Sequence, residues 1–189
     1  MVKLGFIVEG ATEKHILENS DFFDYLAANK VNFVDEIIDA GGNGNLLPKN
    51  IAELTDILLK KGANKIFILT DLDDDICITE TKNRISAPAE HIVIVSVKEI
   101  ESWFLADSIA IQSLLNDSNF TFEKPEEVIH PFEEIKRIRI SKIGRGLGDK
   151  MILAKLITKH HKFSILNAAK HKNCNSAKYF MSKINSFIV

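Results

Sequence analysis

Four acids fall within five residues at Asp71-Leu-Asp73-Asp74-Asp75, directly after the apolar run Ile66-Phe-Ile-Leu69. A run of that length and β-rich composition predicts a buried strand, and in an open parallel sheet ligands gather at the carboxyl ends of strands. Side chains alternate along a strand, so Asp71 and Asp73 are expected on one side with Leu72 turned away. Two carboxylates so placed repel unless one keeps its proton or a cation sits between them. Hard oxygen donors with no Cys or His among them favour Mg²⁺, Mn²⁺ or Ca²⁺ over Zn²⁺. A solvated acidic loop is the competing reading of the same residues.

Two more acidic groups sit at comparable places. Glu9 follows the run Lys3 to Val8, Gly10 permits a sharp turn, and Glu13 falls in the first turn of a following helix. There the helix terminus carries roughly half an elementary positive charge, which favours an anion. Glu99 and Glu101 follow the β-branched run His91 to Val97. Three acidic clusters at three expected strand ends predict one shared rim. Burying that much like charge without a cation costs several kcal/mol per ion, and protonation or wide spacing in water is the alternative.

The elements that must position these groups read as strand, helix, strand, helix, strand, helix, strand. Strands are expected at 3–8, 31–38, 66–69 and 91–97. Helices are expected from a Thr12 cap to about Ala28, from Pro48 to a stop at Gly62, over 79–86, and from Lys98 onward. Ala40-Gly-Gly-Asn-Gly-Asn45 is the stretch best able to adopt positive φ. The alternation predicts an α/β fold with a parallel sheet. Beyond Asn116 the pattern changes to a polar stretch punctuated by Pro125 and Pro131, then helical segments at 150–160 and 176–187. A boundary near residue 118 divides an α/β domain, 1–118, from a basic, mainly helical extension, 119–189.

A chain of 189 residues suffices for one core with a small extension. With 46% apolar and 26% charged residues, and no apolar run near the roughly 18 residues a membrane span needs, the composition predicts a soluble cytoplasmic protein with no membrane partner. An acid arrives too early at the N-terminus for a signal peptide. Cys77 and Cys174, single and distant, predict reduced thiols. The formal charge of −2 hides a division. Residues 1–135 carry 11 Lys/Arg against 25 Asp/Glu, whereas 136–189 carry 13 Lys/Arg against one acid, Asp149. This predicts an acidic part that holds cations and a basic part that holds a polyanion, unless the tail neutralises the body. Lys136, Arg137, Arg139, Lys142 and Arg145 are the candidate contacts to nucleic-acid phosphates, which they would grip without reading sequence.

Glu-Gly-x-x-Glu after a first strand followed by Asp-x-Asp after a later one resembles the Toprim domain of topoisomerases, primases and related nucleases. Val8-Glu-Gly-Ala-Thr-Glu13 and Glu101-Ser-Trp-Phe-Leu-Ala-Asp107 are similar to segments of small bacterial Toprim-like proteins, and also to the nuclease half of the overcoming-lysogenization-defect family. The resemblance covers roughly residues 3–107. It implies a Toprim-like Rossmannoid sheet and a metal-dependent nuclease or phosphodiester-transfer enzyme acting on DNA or RNA, in a setting of phage defence. Glu9 would be general acid/base or ligand, Glu13, Asp71 and Asp73 ligands of Mg²⁺ or Mn²⁺, and Glu99 or Glu101 part of a second metal position. Those nucleases also use a downstream lysine, for which Lys150, after Gly144-x-Gly-x-Gly148, is the candidate. No Gly-x-x-x-x-Gly-Lys-Ser/Thr occurs, so an ATPase partner would be a separate subunit.

The chemistry agrees with the likeness. Two metals about 4 Å apart stabilise both the attacking and the leaving oxygen of a phosphodiester, and a neighbouring carboxylate can move a proton. An EF-hand is excluded by Ile76 and Lys82 at the positions of its turn glycine and bidentate glutamate. A haloacid-dehalogenase phosphatase would carry its acid pair after the first strand, followed by Gly-Thr. His160, His161 and His171 read as solvated surface, and Trp103 and Phe104 as packing of a helix on the sheet. Phe120 and Phe122 read as anchors of the linker. The rival from another class is a Toprim-like module that binds nucleic acid or a partner without catalysis.

Overall fold

The computed structural model describes residues 2–188. Four parallel strands, β1 (Lys3–Val8), β2 (Asn32–Asp39), β3 (Lys65–Asp71) and β4 (Ile92–Ser96), form one sheet in the order β2-β1-β3-β4. The α/β class and the parallel sheet are those expected from the sequence, in a Rossmann-like arrangement. The chain leaves β1 toward one edge, to β2, and then crosses to the other side of β1 to make β3. The sheet therefore reverses its direction of growth between β1 and β3, the place where parallel sheets open a crevice for ligands.

Alternation along the central strands sorts the core into two layers. Leu4, Phe6 and Val8 of β1, with Phe67 and Leu69 of β3, face one cluster; Ile7, Ile66 and Ile68 face the other. On the second face lie α3 (Pro48–Lys60) and α4 (Ile78–Ile85), which contribute Ile51, Leu58 and Ile85. A Cβ at Gly5 would meet Leu58 Cδ1 at 3.0 Å and Ala63 Cβ at 3.1 Å, so glycine lets α3 approach β1 closely.

The first face carries everything else. α1 (Ala11–Asn19) and α2 (Phe22–Ala28) stand where a single helix was expected. The break falls at Ser20 and Asp21: Ser20 Oγ accepts the Phe22 amide, and Asp21 Oδ2 accepts the Ser164 hydroxyl at 2.6 Å, so both side chains serve other partners than a continuous helix. α5 (Glu101–Ala106) starts three residues later than expected because Lys98 is left-handed, with φ 63°.

The segment after residue 118 is helical, as expected, and richer in helices than its sequence suggested. α6 (Ser108–Leu115) precedes it. It contains α7 (Pro131–Ile143), α8 (Lys150–His161), α9 (Ile165–Lys170) and α10 (Asn175–Asn185). Pro131 does not merely punctuate this stretch; it occupies the first turn of α7, where its missing amide costs nothing. Ile135, Leu153, Phe163, Ala168 and Phe180 join the same hydrophobic cluster as Phe6 and Phe67, so one core crosses residue 118. Trp103 is fully buried, stacks on Phe180 at 5.7 Å, and donates its indole N–H to Ser176 Oγ at 2.8 Å. Asp107 ties these parts together. One carboxylate oxygen caps α6 through the amides of Ile109 and Ala110, and the other accepts the Ser164 amide at 2.8 Å. Both cysteines are free. Among the described residues no helix is long and apolar enough to cross a membrane.

Candidate functional site: a buried carboxylate cluster at the sheet switch point

Register dictates the first contact. Val8 pairs with Leu69, so Glu9 leaves β1 opposite Thr70. Its amide donates to the Leu69 carbonyl at 2.9 Å. Its carboxylate accepts the Thr70 hydroxyl at 2.6 Å and the Asp71 amide at 3.1 Å, both through Oε2. Asp71 shares the parity of Phe67 and Leu69, so its side chain turns to the face that carries α1 and α5. Glu13 stands there in the first turn of α1, where its carboxylate accepts the Gly10 amide at 3.0 Å. Glu101 stands there at the start of α5, with no exposed surface.

Three buried acids in one place must strain against ionisation. Burial first, then the charges of Glu13 and Glu101, hold Asp71 well above the usual carboxylate range; the Ser96 hydroxyl, donating to Asp71 Oδ1, works in the opposite direction. Burial likewise pushes Glu13 up to about 7, with Glu9 adding to the shift and Lys150 opposing it. Glu101 is pushed up to about 7 by burial, against the pull of Lys150.

Lys150 is the cation of the cluster. α8 packs along α1, and Asp149 caps it by accepting the Ile152 amide at 2.8 Å. This sets Lys150 Nζ 3.1 Å from Glu99 Oε1 and 3.8 Å from Glu101 Oε2. Burial pulls its pKa down, but Glu101, Glu99 and Asp71 outweigh that and raise it. The compensation is partial: both Glu101 oxygens and Glu99 Oε2 are buried without a hydrogen-bond partner, as is Ser102 Oγ.

Asp73 is placed differently from the expectation. β3 ends at Asp71, and Asp73 takes a left-handed conformation with φ 47°, so strand alternation does not carry through to it. Its carboxylate accepts Asn43 Nδ2 at 3.1 Å from the glycine-rich loop. It lines a cleft of about 490 Å³ together with Asn43, Asp75, Arg84, Glu99 and His130. Glu99 thus touches both the cleft and the buried cluster. Asp75 anchors α4 by accepting the Thr81 hydroxyl at 2.8 Å and Arg84 Nη2 at 3.1 Å.

The structure therefore brings Glu9, Glu13, Asp71, Glu99, Glu101 and Lys150 together and sets Asp73 at the adjacent cleft. Thr70 and Ser96, which were not singled out in the sequence, belong to the site through their hydroxyls. The only signal for them was a small polar residue ending an apolar run.

The basic candidates lie elsewhere and are largely engaged. Arg137 makes a two-pronged bond to Glu134 at 2.8 and 2.7 Å, Lys136 pairs with Glu133 at 3.4 Å, and Lys142 pairs with Asp117 at 2.7 Å. Arg139 donates to the Gly146 carbonyl, and Arg145 is exposed with no ion pair among the described residues. His161 Nδ1 meets Ser113 Oγ at 2.8 Å while His171 Nε2 meets the Phe122 carbonyl at 2.9 Å, so the histidines serve separate contacts.

The donor set fits a hard divalent cation in kind: all oxygens, three buried carboxyls, and orphaned carboxylate oxygens. Among the described residues, no three His, Cys, Asp or Glu side chains already converge as a cage. Comparison with protein-family models, curated proteins and solved structures gives no match in any of the three.

Proposed function

We propose that this chain is a Toprim-like, Mg²⁺- or Mn²⁺-dependent nuclease or phosphodiester-transfer enzyme acting on nucleic acid. The observation that carries the reading is the burial of Glu13, Asp71 and Glu101 together at the switch point of a parallel sheet, with orphaned oxygens and a single lysine beside them. Carboxyls held this far from ionisation are a mark of functional sites. Glu13, Asp71 and Glu101 would hold the first ion, and Glu99 with Asp73 would serve at the cleft side. When bound, such ions stabilise charge on the attacking and leaving oxygens. Glu9 stands beside them, half-buried, as the group able to take or give a proton. Lys150 offsets part of the negative charge of the cluster and is placed to steady a phosphate oxygen once released from Glu99. The likeness to the overcoming-lysogenization-defect nucleases extends this reading to a separate ATPase partner.

The test is divalent-dependent nicking of plasmid DNA and of RNA by purified protein. Activity with Mg²⁺ or Mn²⁺ that disappears in Asp71→Ala and Glu13→Ala supports the enzyme. The second reading, a non-catalytic binding module, is favoured by two observations: Lys150 already pairs with Glu99, and among the described residues no cage is preformed. Salt-sensitive binding without turnover under any divalent ion would establish it.

A further inference from the structure

A second cationic site lies at the other end of the sheet. Lys65 opens β3, Lys82 sits on α4, His91 precedes β4, and Tyr179 and Lys183 lie on α10; together they line a cleft of about 510 Å³. Lys82 Nζ lies 4.9 Å and Lys183 Nζ 5.1 Å from the centre of the Tyr179 ring. Both ammonium groups are therefore held on one aromatic surface rather than free to sweep through solvent. Among the described residues, none of Lys65, Lys82 and Lys183 has a carboxylate within ion-pair distance. Glu90, next to His91 in the chain, is exposed. The contrast with the 136–142 stretch is direct: there three of the four cations are spoken for by acids of the same protein.

We propose that this cleft grips the phosphodiester backbone of a nucleic acid, away from the carboxylate rim. Three lysines with no carboxylate partner among the described residues, lining one cleft with a tyrosine, match backbone phosphates in charge and in hydrogen-bond donors, and read no sequence. The inference rests on the proposed nucleic-acid substrate and adds where it is held. Lys65 and Asp71 stand at opposite ends of the same seven-residue strand, about 20 Å apart at roughly 3.3 Å per residue. That is about six nucleotides at 3.4 Å per nucleotide of one strand. Only a polymer reaches both sites.

The experiment is anisotropy of a labelled 20-base-pair DNA duplex, titrated at several salt concentrations without divalent ions. The proteins are wild type, the triple variant Lys65→Gln/Lys82→Gln/Lys183→Gln, and the control Lys136→Gln/Arg137→Gln/Lys142→Gln, each checked by thermal melting. The expected result is binding weakened tenfold or more in the triple variant, with the slope of log affinity against log salt reduced by about 2 to 3, and less than threefold change in the control. Equal binding by wild type and triple variant overturns this site while leaving the nucleic-acid reading intact. No binding by the wild type to DNA or to the matching RNA overturns both. Loss of self-association, rather than of binding, in the triple variant would make the cleft a contact between copies and overturn the proposal.

Discussion

The Glu9 carboxylate accepts the backbone amide of Asp71 at 3.1 Å, and so fastens the end of β1 to the end of β3 where the sheet changes direction. Because the same oxygen also holds the Thr70 hydroxyl, Glu9 has a structural task whether or not it moves protons. The two tasks separate by substitution. Glu9→Gln keeps an acceptor for the amide and is expected to cost under about 1 kcal/mol, whereas Glu9→Ala leaves buried donors unmet and costs about 1–3 kcal/mol. Urea unfolding measures this. If Glu9 acts as acid or base, both variants lose nicking; if it only fastens strands, Glu9→Gln keeps it.

Stability should fall as pH rises through the neutral range. Glu13 and Glu101 ionise near 7 in the fold against an ordinary value of 4.5. Between those values the unfolded chain gives up protons that the folded chain keeps, so the unfolded state gains. The expected loss from pH 4.5 to about 7 is on the order of a few kcal/mol in all. Denaturation midpoints across that window should flatten in Glu13→Gln/Glu101→Gln. Mg²⁺ should restore the wild type's midpoint at high pH and leave the double variant unmoved.

Asp107 should matter for stability and not for chemistry. It caps α6 and holds the Ser164 amide from a buried position, so Asp107→Ala is expected to cost about 2–4 kcal/mol by losing the cap and leaving the amide unmet. A lowered urea midpoint with unchanged activity per folded molecule is the expected result.

The four strands were legible because their apolar runs alternate or lie buried on both faces, and Gly62, Pro48 and Gly10 mark the ends of elements. The clustering of Glu9, Glu13, Asp71 and Glu101 was legible too, since parallel order sends all strand ends to one rim. What the sequence hid depends on tertiary contacts. The break at Ser20 and Asp21 exists because Asp21 answers Ser164, 143 residues away. Asp73 leaves the cluster through a single left-handed residue angle. α7 escaped notice because exposed Ile140 interrupts the buried stripe of Phe132, Ile135 and Ile138, while its charged residues pair along its own surface at i, i+3. The same pairs engage the basic stretch that had seemed free for phosphates, while Lys65, Lys82 and Lys183, far apart in sequence, assemble only in the fold.

The most direct measurement is anomalous diffraction from crystals soaked in Mn²⁺ at pH 8, where Glu13 and Glu101 favour ionisation. The account predicts a manganese peak bonded to oxygens of Glu13, Asp71 and Glu101, with Lys150 drawn away from Glu101. Manganese bound elsewhere or not at all, with Lys150 still seated against Glu99 and the three carboxyls unchanged, would contradict it.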